Sequence, residues 1–290
     1  VYDHIEIPPS RETYLQSAET SAKLALELDP VSTDALSALA LGYESRDDIE
    51  NAHAMYEQIK AIGSNDSNPV FWESMLHMRL GYFDSVIEPL RRVYELEPLN
   101  EHLGWSLATA LNFAGDPAAA RKILKQLKGF TFRDYVLGLC ALNVNHFDQA
   151  RELLRDARMR SGVLPAAWAD LTVDGREDPA RSDEIALKFL HAVEQGEMSG
   201  IVAFEVLLTL GSPRVWELDI DPLSDIVKLQ IHTQVWNNWA VAVRRDPRFK
   251  QWVAAPGNVE FWQKHGWPDR CKPTGQGDFE CIQARALGLK

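Results

Sequence analysis

The stretch that most constrains this chain runs from Asn68 to Leu127, where one helical hairpin is written twice. Gly81 is followed by Phe83, Val86, Leu90, Val93 and Pro98, and Gly115 by Pro117, Ala120, Leu124 and Leu127. The two glycines lie 34 residues apart. Extended in both directions, the same step aligns three columns. Ala18, Ala52, Val86 and Ala120 form the first, and Ala22, Tyr56, Leu90 and Leu124 the second. Ala25, Ile59, Val93 and Leu127 form the third. Small residues in the first column suit a close crossing of two helices, and larger ones in the others fill the groove between hairpins. Glycine after a first helix supplies the left-handed turn that a Cβ disfavours. Pro30 and Pro98 stand where a second helix must stop.

The flanking segments carry the same signals. From Arg11, apolar residues recur at three and four to Asp29-Pro30, after a turn-like opening at Pro8 and Pro9. Thr33 to Glu44 places Leu36, Leu39, Ala40 and Tyr43 on one face, and a further helix carries Ala52, Tyr56 and Ile59. A later hairpin spans Asp134 to Leu142 and continues from His146-Phe147-Asp148 through Ala150, Leu154 and Ala157, its step shortened to 30 residues. Beyond Ser161 the period fades. Helical stripes remain at Pro165–Leu171, Ser182–Val193, Ser199–Leu210 and Leu229–Val243, punctuated by Gly and Pro.

A period of 34 with these columns resembles the tetratricopeptide repeat. The resemblance implies an all-α fold, a right-handed α-solenoid of helical hairpins in which each hairpin is stable only when stacked on its neighbours. The expected organisation is repeats over 1–160, degenerate helical repeats over 161–245, and an aromatic C-terminal cap with a Cys-bounded loop over 246–290. Five of the nine tryptophans fall in the last part of the chain: Trp236, Trp239, Trp252, Trp262 and Trp267.

The tail adds a second resemblance. Asp246-Pro247-Arg248-Phe249, Phe261-Trp262, Gly266, Pro268-Asp269, Cys271, Phe279 and Cys281 occur in an order similar to that of certain bacterial tetratricopeptide proteins. In those, a winged-helix or nucleotide-cyclase domain precedes a membrane segment and a helical-repeat sensor region. The resemblance implies a periplasmic or extracytoplasmic domain of a membrane-anchored regulator, with a cytoplasmic location as the alternative. The chain opens on Val1 without an initiator Met, so a fragment or processed product of a longer protein is expected. No apolar run here reaches the ~20 residues of a membrane span.

A formal charge of −12 argues against a nucleic-acid-binding face, since phosphate contacts require clustered Lys and Arg. The basic runs at Arg151–Arg160 and Arg244–Lys250 are interleaved with acids and read as solvated faces. The phosphate-binding loops, zinc-protease helix and nucleophile elbow are all missing from the sequence, and the eight histidines are scattered. We therefore expect no cofactor, no metal and no catalytic residues. The partner is expected to be a protein or peptide, and a homodimer is an open option. A helical enzyme with its site in residues 161–245 is the competing reading.

Two site expectations follow. First helices of such hairpins line a concave face, which places Phe71, Met75 and Met78, then Trp105, Thr109, Asn112 and Phe113, then Tyr135 and Leu139 in a peptide-binding groove. Ordinary packing by the rest of the chain is the competing account of the same side chains. With Asn112 alone in place of a Lys and Asn set, a carboxylate clamp is not expected. Second, Cys271 and Cys281 bracket a stretch containing Pro273, Gly275 and Gly277, whose turns bring the two thiols together as a disulfide. A metal site with His265 and Asp278, or two free thiols, are the alternatives. Cys140, mid-helix among apolar residues, reads as a buried small hydrophobe.

Overall fold

The computed structural model describes residues 11–64, 66–130, 132–161, 166–218, 233–254 and 257–281. The chain forms two compact units, Val1–Glu73 and Ser74–Lys290. Both are helical. The expected opening turn at Pro8 and Pro9 and the start of the helix expected from Leu229 lie outside the described residues.

The first unit holds α1 (Arg11–Leu28), α2 (Thr33–Glu44), α3 (Ile49–Ile62) and the beginning of α4 (Ser67–Leu80). The starts of α2 and α3 have local causes. Ser32 accepts a hydrogen bond from the Ala35 amide at the head of α2, and Asp48 does the same for Asn51 at the head of α3. Helix α1 packs on α2 and α2 on α3. Inside, the Tyr56 hydroxyl donates to Glu44 at 2.9 Å, which satisfies two polar groups that burial would otherwise penalise. Arg46 pairs with Glu12 and Glu19, each at 3.2 Å, and ties the α2 end to α1.

The second unit continues with α5 (Asp84–Leu96), α6 (Glu101–Phe113), α7 (Pro117–Leu124), α8 (Arg133–Asn143) and α9 (Phe147–Ser161). It goes on through α10 (Ala166–Glu177), α11 (Ser182–Glu194) and α12 (Gly200–Leu210). From α5 to α11 each helix packs on the next, and α6 also touches α8. The column residues Val86, Ala120 and Ala150 are buried, as are Leu90, Leu124 and Leu154, and Val93, Leu127 and Ala157. At Gly138 in α8, a built methyl would stand 2.7 Å from the Leu154 side chain, so only glycine permits that helix approach.

The turn between paired helices is more regular than the glycines alone indicate. Gly81 and Gly115 have φ of 95° and 94°, and Asp47 and Asn145 sit in the same register, each with φ of 57°. Asp and Asn tolerate the left-handed region better than other non-glycine residues. The four positions follow the steps of the columns, including the shortened last one.

The rest of the unit is compact and aromatic. Short helices α13 (Val241–Arg245), α14 (Pro247–Ala254) and α15 (Asn258–His265) follow, and of the helix expected over 229–243 the described residues are helical at 233–234 and again from Val241, with turns between. Trp236 and Trp262 are buried with their rings 6.1 Å apart, and Trp236 also meets Phe249 at 5.9 Å. A two-stranded antiparallel hairpin not anticipated from the sequence closes the described chain: β1 (Lys272–Gly275) and β2 (Asp278–Glu280). Lys272 faces Glu280, and their side chains pair at 2.8 Å. The link is Gln276-Gly277, both at positive φ, the twist that a tight hairpin demands. Gln is an unusual first residue for that turn, which is why the signal is weak.

Candidate interaction surface

The residues expected to line a groove separate into two groups. In the second unit, Met75, Met78, Thr109, Asn112, Phe113 and Leu139 are buried, whereas Trp105 and Tyr135 are half-buried. Phe71, in the first unit, is also half-buried. The buried group is occupied by its own neighbours. The Phe113 ring stacks on Phe83 at 4.9 Å, Asn143 donates to the Asn112 side chain at 2.8 Å, and Ser106 points to the Met75 sulfur at 3.8 Å. These side chains hold neighbouring helices together and are closed to a ligand.

What remains open is an aromatic patch around Trp105. Its ring lies 5.9 Å from Phe130 and 6.2 Å from Phe132, and those two lie 5.8 Å apart. His102 meets the Phe130 edge at 5.1 Å. Phe132 is 44% exposed. The Trp105 Nε1 is buried and has no hydrogen-bond partner among the described residues. Along the same face of α6, one turn further, the Thr109 hydroxyl also lacks a partner among the described residues. Helix spacing does not mark Phe130, Phe132 or His102 as site residues. The available signal is the alternation Phe130-x-Phe132 in the link before α8, since aromatic pairs seldom stand in a solvent-facing link without a partner.

A second surface of the unit is covered by the chain's own tail. Trp236 Nε1 donates to the Arg79 carbonyl at 3.0 Å, and its ring sits against Gly81. Asp269 accepts from the backbone amides of Phe83 and Asp84, and Arg270 donates to the Phe113 carbonyl at 2.6 Å. The Tyr82 hydroxyl donates to the Gly266 carbonyl, and burial, with the Asp269 charge second, raises its pKa. An acid at the start of α5 and a base at the end of α6 both oppose the local helix dipole.

The tail is itself fastened. Cys271 and Cys281 are joined in a disulfide at the base of the β-hairpin. Arg244, buried, donates to the carbonyls of Cys281 at 2.7 Å, Val235 at 2.5 Å and Asn237 at 2.9 Å. Burial, with the charge of Arg270 second, pushes its pKa down to about 9, so it stays protonated at neutral pH. Phe279 closes the hairpin against Trp262 and Trp267 at 5.7 and 5.6 Å.

Within the basic run of α9, two arginines pair with α10: Arg151 meets Asp174 at 2.5 Å and Glu177 at 3.0 Å, and Arg155 meets Asp170 at 2.7 Å. No described helix is long and apolar enough to cross a membrane. No protein-family model matches this chain, and no curated protein matches it.

Proposed function

We propose that this chain is a non-enzymatic interaction or sensor module, built as a right-handed solenoid of tetratricopeptide-like hairpins and serving a larger regulator. The buried columns and the recurring left-handed turn support the repeat reading. The binding face is the patch of Trp105, Phe130 and Phe132. One observation carries this assignment: the rings of Trp105, Phe130 and Phe132 gather within 6.2 Å of one another, with Phe132 44% exposed. Aromatic anchors dominate protein interfaces, and clustered aromatic rings favour a ligand that brings apolar side chains. The partner chemistry is thus a peptide segment offering apolar side chains.

A disulfide forms and persists in oxidising compartments, so the Cys271–Cys281 bond supports an extracytoplasmic setting. A Trp-rich tail held on the turns after α4 and α6 supports a cap that stabilises the repeats from the side.

The test is selection of a random displayed-peptide library on the immobilised chain. Enriched peptides should lose binding to Trp105→Ala and Phe132→Ala proteins whose thermal unfolding remains cooperative. Peptides indifferent to both substitutions, or no enrichment, would overturn the assignment.

A further inference from the structure

The aromatic patch stands at the end of a basic segment. In a chain of formal charge −12, the residues between Asp116 and Asp134 include five bases, Arg121, Lys122, Lys125, Lys128 and Arg133, and no acid. The two arginines are engaged: Arg121 donates to Gln149 at 3.3 Å, and Arg133 pairs with Asp134 at 2.7 Å. Lys122, Lys125 and Lys128 are exposed and form no ion pair among the described residues. Lys122 and Lys125 stand on the side of α7 away from the buried Ala120 and Leu124. Lys128 opens the link that carries the rings. Arg133 donates back to the Lys128 carbonyl at 3.3 Å, which closes that link into a loop with Phe130 and Phe132 inside it. The Gly129 amide donates to Glu101 at 3.2 Å and ties the loop to α6, the helix that bears Trp105.

The end of α7 accounts for part of this charge, since bases near a helix C-terminus oppose its dipole favourably. Lys128 lies beyond α7, where that effect has faded. Lys125 also stands three and four residues from Lys122 and Arg121, a like-charge spacing that weakens a helix and that an outside counter-charge relieves.

We infer that the peptide taken by the Trp105 patch is acidic. Its apolar side chains meet Trp105, Phe130 and Phe132, and Asp or Glu residues on one flank meet Lys128, Lys125 and Lys122. This inference rests on the reading of the patch as a peptide site and adds the charge of the partner. The reach is short: Lys122 to Lys128 spans roughly 10 Å at helical rise, which about three extended residues cover. Rim charges of this kind steer encounter and reject segments of the wrong sign, while the buried rings supply the hold.

The probe is the random displayed-peptide library, selected on the wild-type chain and on a chain carrying Lys122→Glu, Lys125→Glu and Lys128→Glu. All three positions are exposed, and thermal unfolding checks that the fold is kept. Wild-type selection should enrich peptides with Asp and Glu in excess beside an apolar pair. The best of them, synthesised and labelled, should bind the reversed chain ~10-fold or more weakly, chiefly through slower association, and should weaken as salt rises. A chain with glutamine at the same three positions should fall between the two. Trp105→Ala should instead speed dissociation. Trp105-dependent peptides without an acidic excess, or binding the reversed chain as well as the wild type, overturn the inference and leave the patch reading standing. Absence of any Trp105-dependent peptide overturns both. Capture of the chain by vesicles of phosphatidylcholine and phosphatidylserine that survives Trp105→Ala and fails on lysine reversal would assign the lysines to a lipid surface, and also overturns the inference.

Discussion

Asp269 caps helix α5 from 186 residues beyond Phe83, the residue at its capping position: its Oδ2 accepts from the Phe83 amide at 2.7 Å and from the Asp84 amide at 3.0 Å. Helix α5 has no local side-chain cap, because Phe83 occupies the capping position. Asp269→Ala should therefore cost about 1 kcal/mol, the usual value of a lost N-cap, with Asp269→Asn costing less. Urea unfolding should show a lower midpoint at unchanged slope. Faster hydrogen exchange at the Phe83 and Asp84 amides would locate the loss. Unaltered exchange there would show that the cap contributes nothing.

Arg244 satisfies three backbone carbonyls at once. Arg244→Met keeps much of the apolar stem but leaves those oxygens without their donor. The expected cost is ~3 kcal/mol, within the range for several orphaned buried acceptors. The relevant reading is the denaturation midpoint of the full chain. A change of a few tenths would mean that water takes over the carbonyls.

Reduction of Cys271–Cys281 should act locally. The closed loop is short, and on the chain-entropy account, which is disputed, its bond stabilises by ~2–3 kcal/mol. Far-UV circular dichroism should barely change, while the near-UV signal of Trp262 and Trp267 should weaken as Phe279 loosens. Non-reducing peptide mapping should recover the two cysteines linked. Collapse of the helical signal on reduction would contradict a local role.

Cys140 is buried in α8, and burial raises its thiol from 9.0 to about 12. A pKa higher in the folded than in the unfolded state means that the unfolded chain sheds this proton first. This residue's contribution is accordingly intact below pH 9 and is lost as pH rises from 9 toward 12. Native protein at pH 8 should resist alkylation at Cys140 until denaturant is added. Cys140→Ala should flatten the alkaline fall in stability.

Gly138→Ala should destabilise by ~1–3 kcal/mol through overpacking, since the new methyl would meet Leu154 at 2.7 Å. Gly200→Ala is the matched control, because no described atom lies within 4 Å of a methyl built there. Equal effects of the two changes on the thermal midpoint would refute the close approach.

The hairpins are legible in the sequence because their causes are local. Helix periodicity, the Ser32 and Asp48 caps and the left-handed turns at Gly81 and Gly115 each involve residues a few positions apart. A period of 34 then repeats the same local solution, so spacing alone assigns Ala120, Leu124 and Leu127 to the core. Asp47 and Asn145 escape notice only because a left-handed Asp or Asn is less conspicuous than a glycine.

The candidate surface is only partly legible. The first-helix rule marks Trp105 and Phe113 alike, yet Phe113 is stacked on Phe83 and buried, while Trp105 is half-buried in an open patch. Spacing decides which face of a helix a residue occupies; it does not decide what arrives to cover that face. Phe130 and Phe132 sit in a link, where no periodicity points to them. By itself the sequence determined a helical chain and a pair of cysteines placed to join. Only the tertiary structure decided that Asp269, Arg270 and Trp236 fasten the tail to turns more than 150 residues away. Such contacts depend on carbonyls and amides that nearly every residue possesses, so they leave no mark in the sequence until the chain has folded.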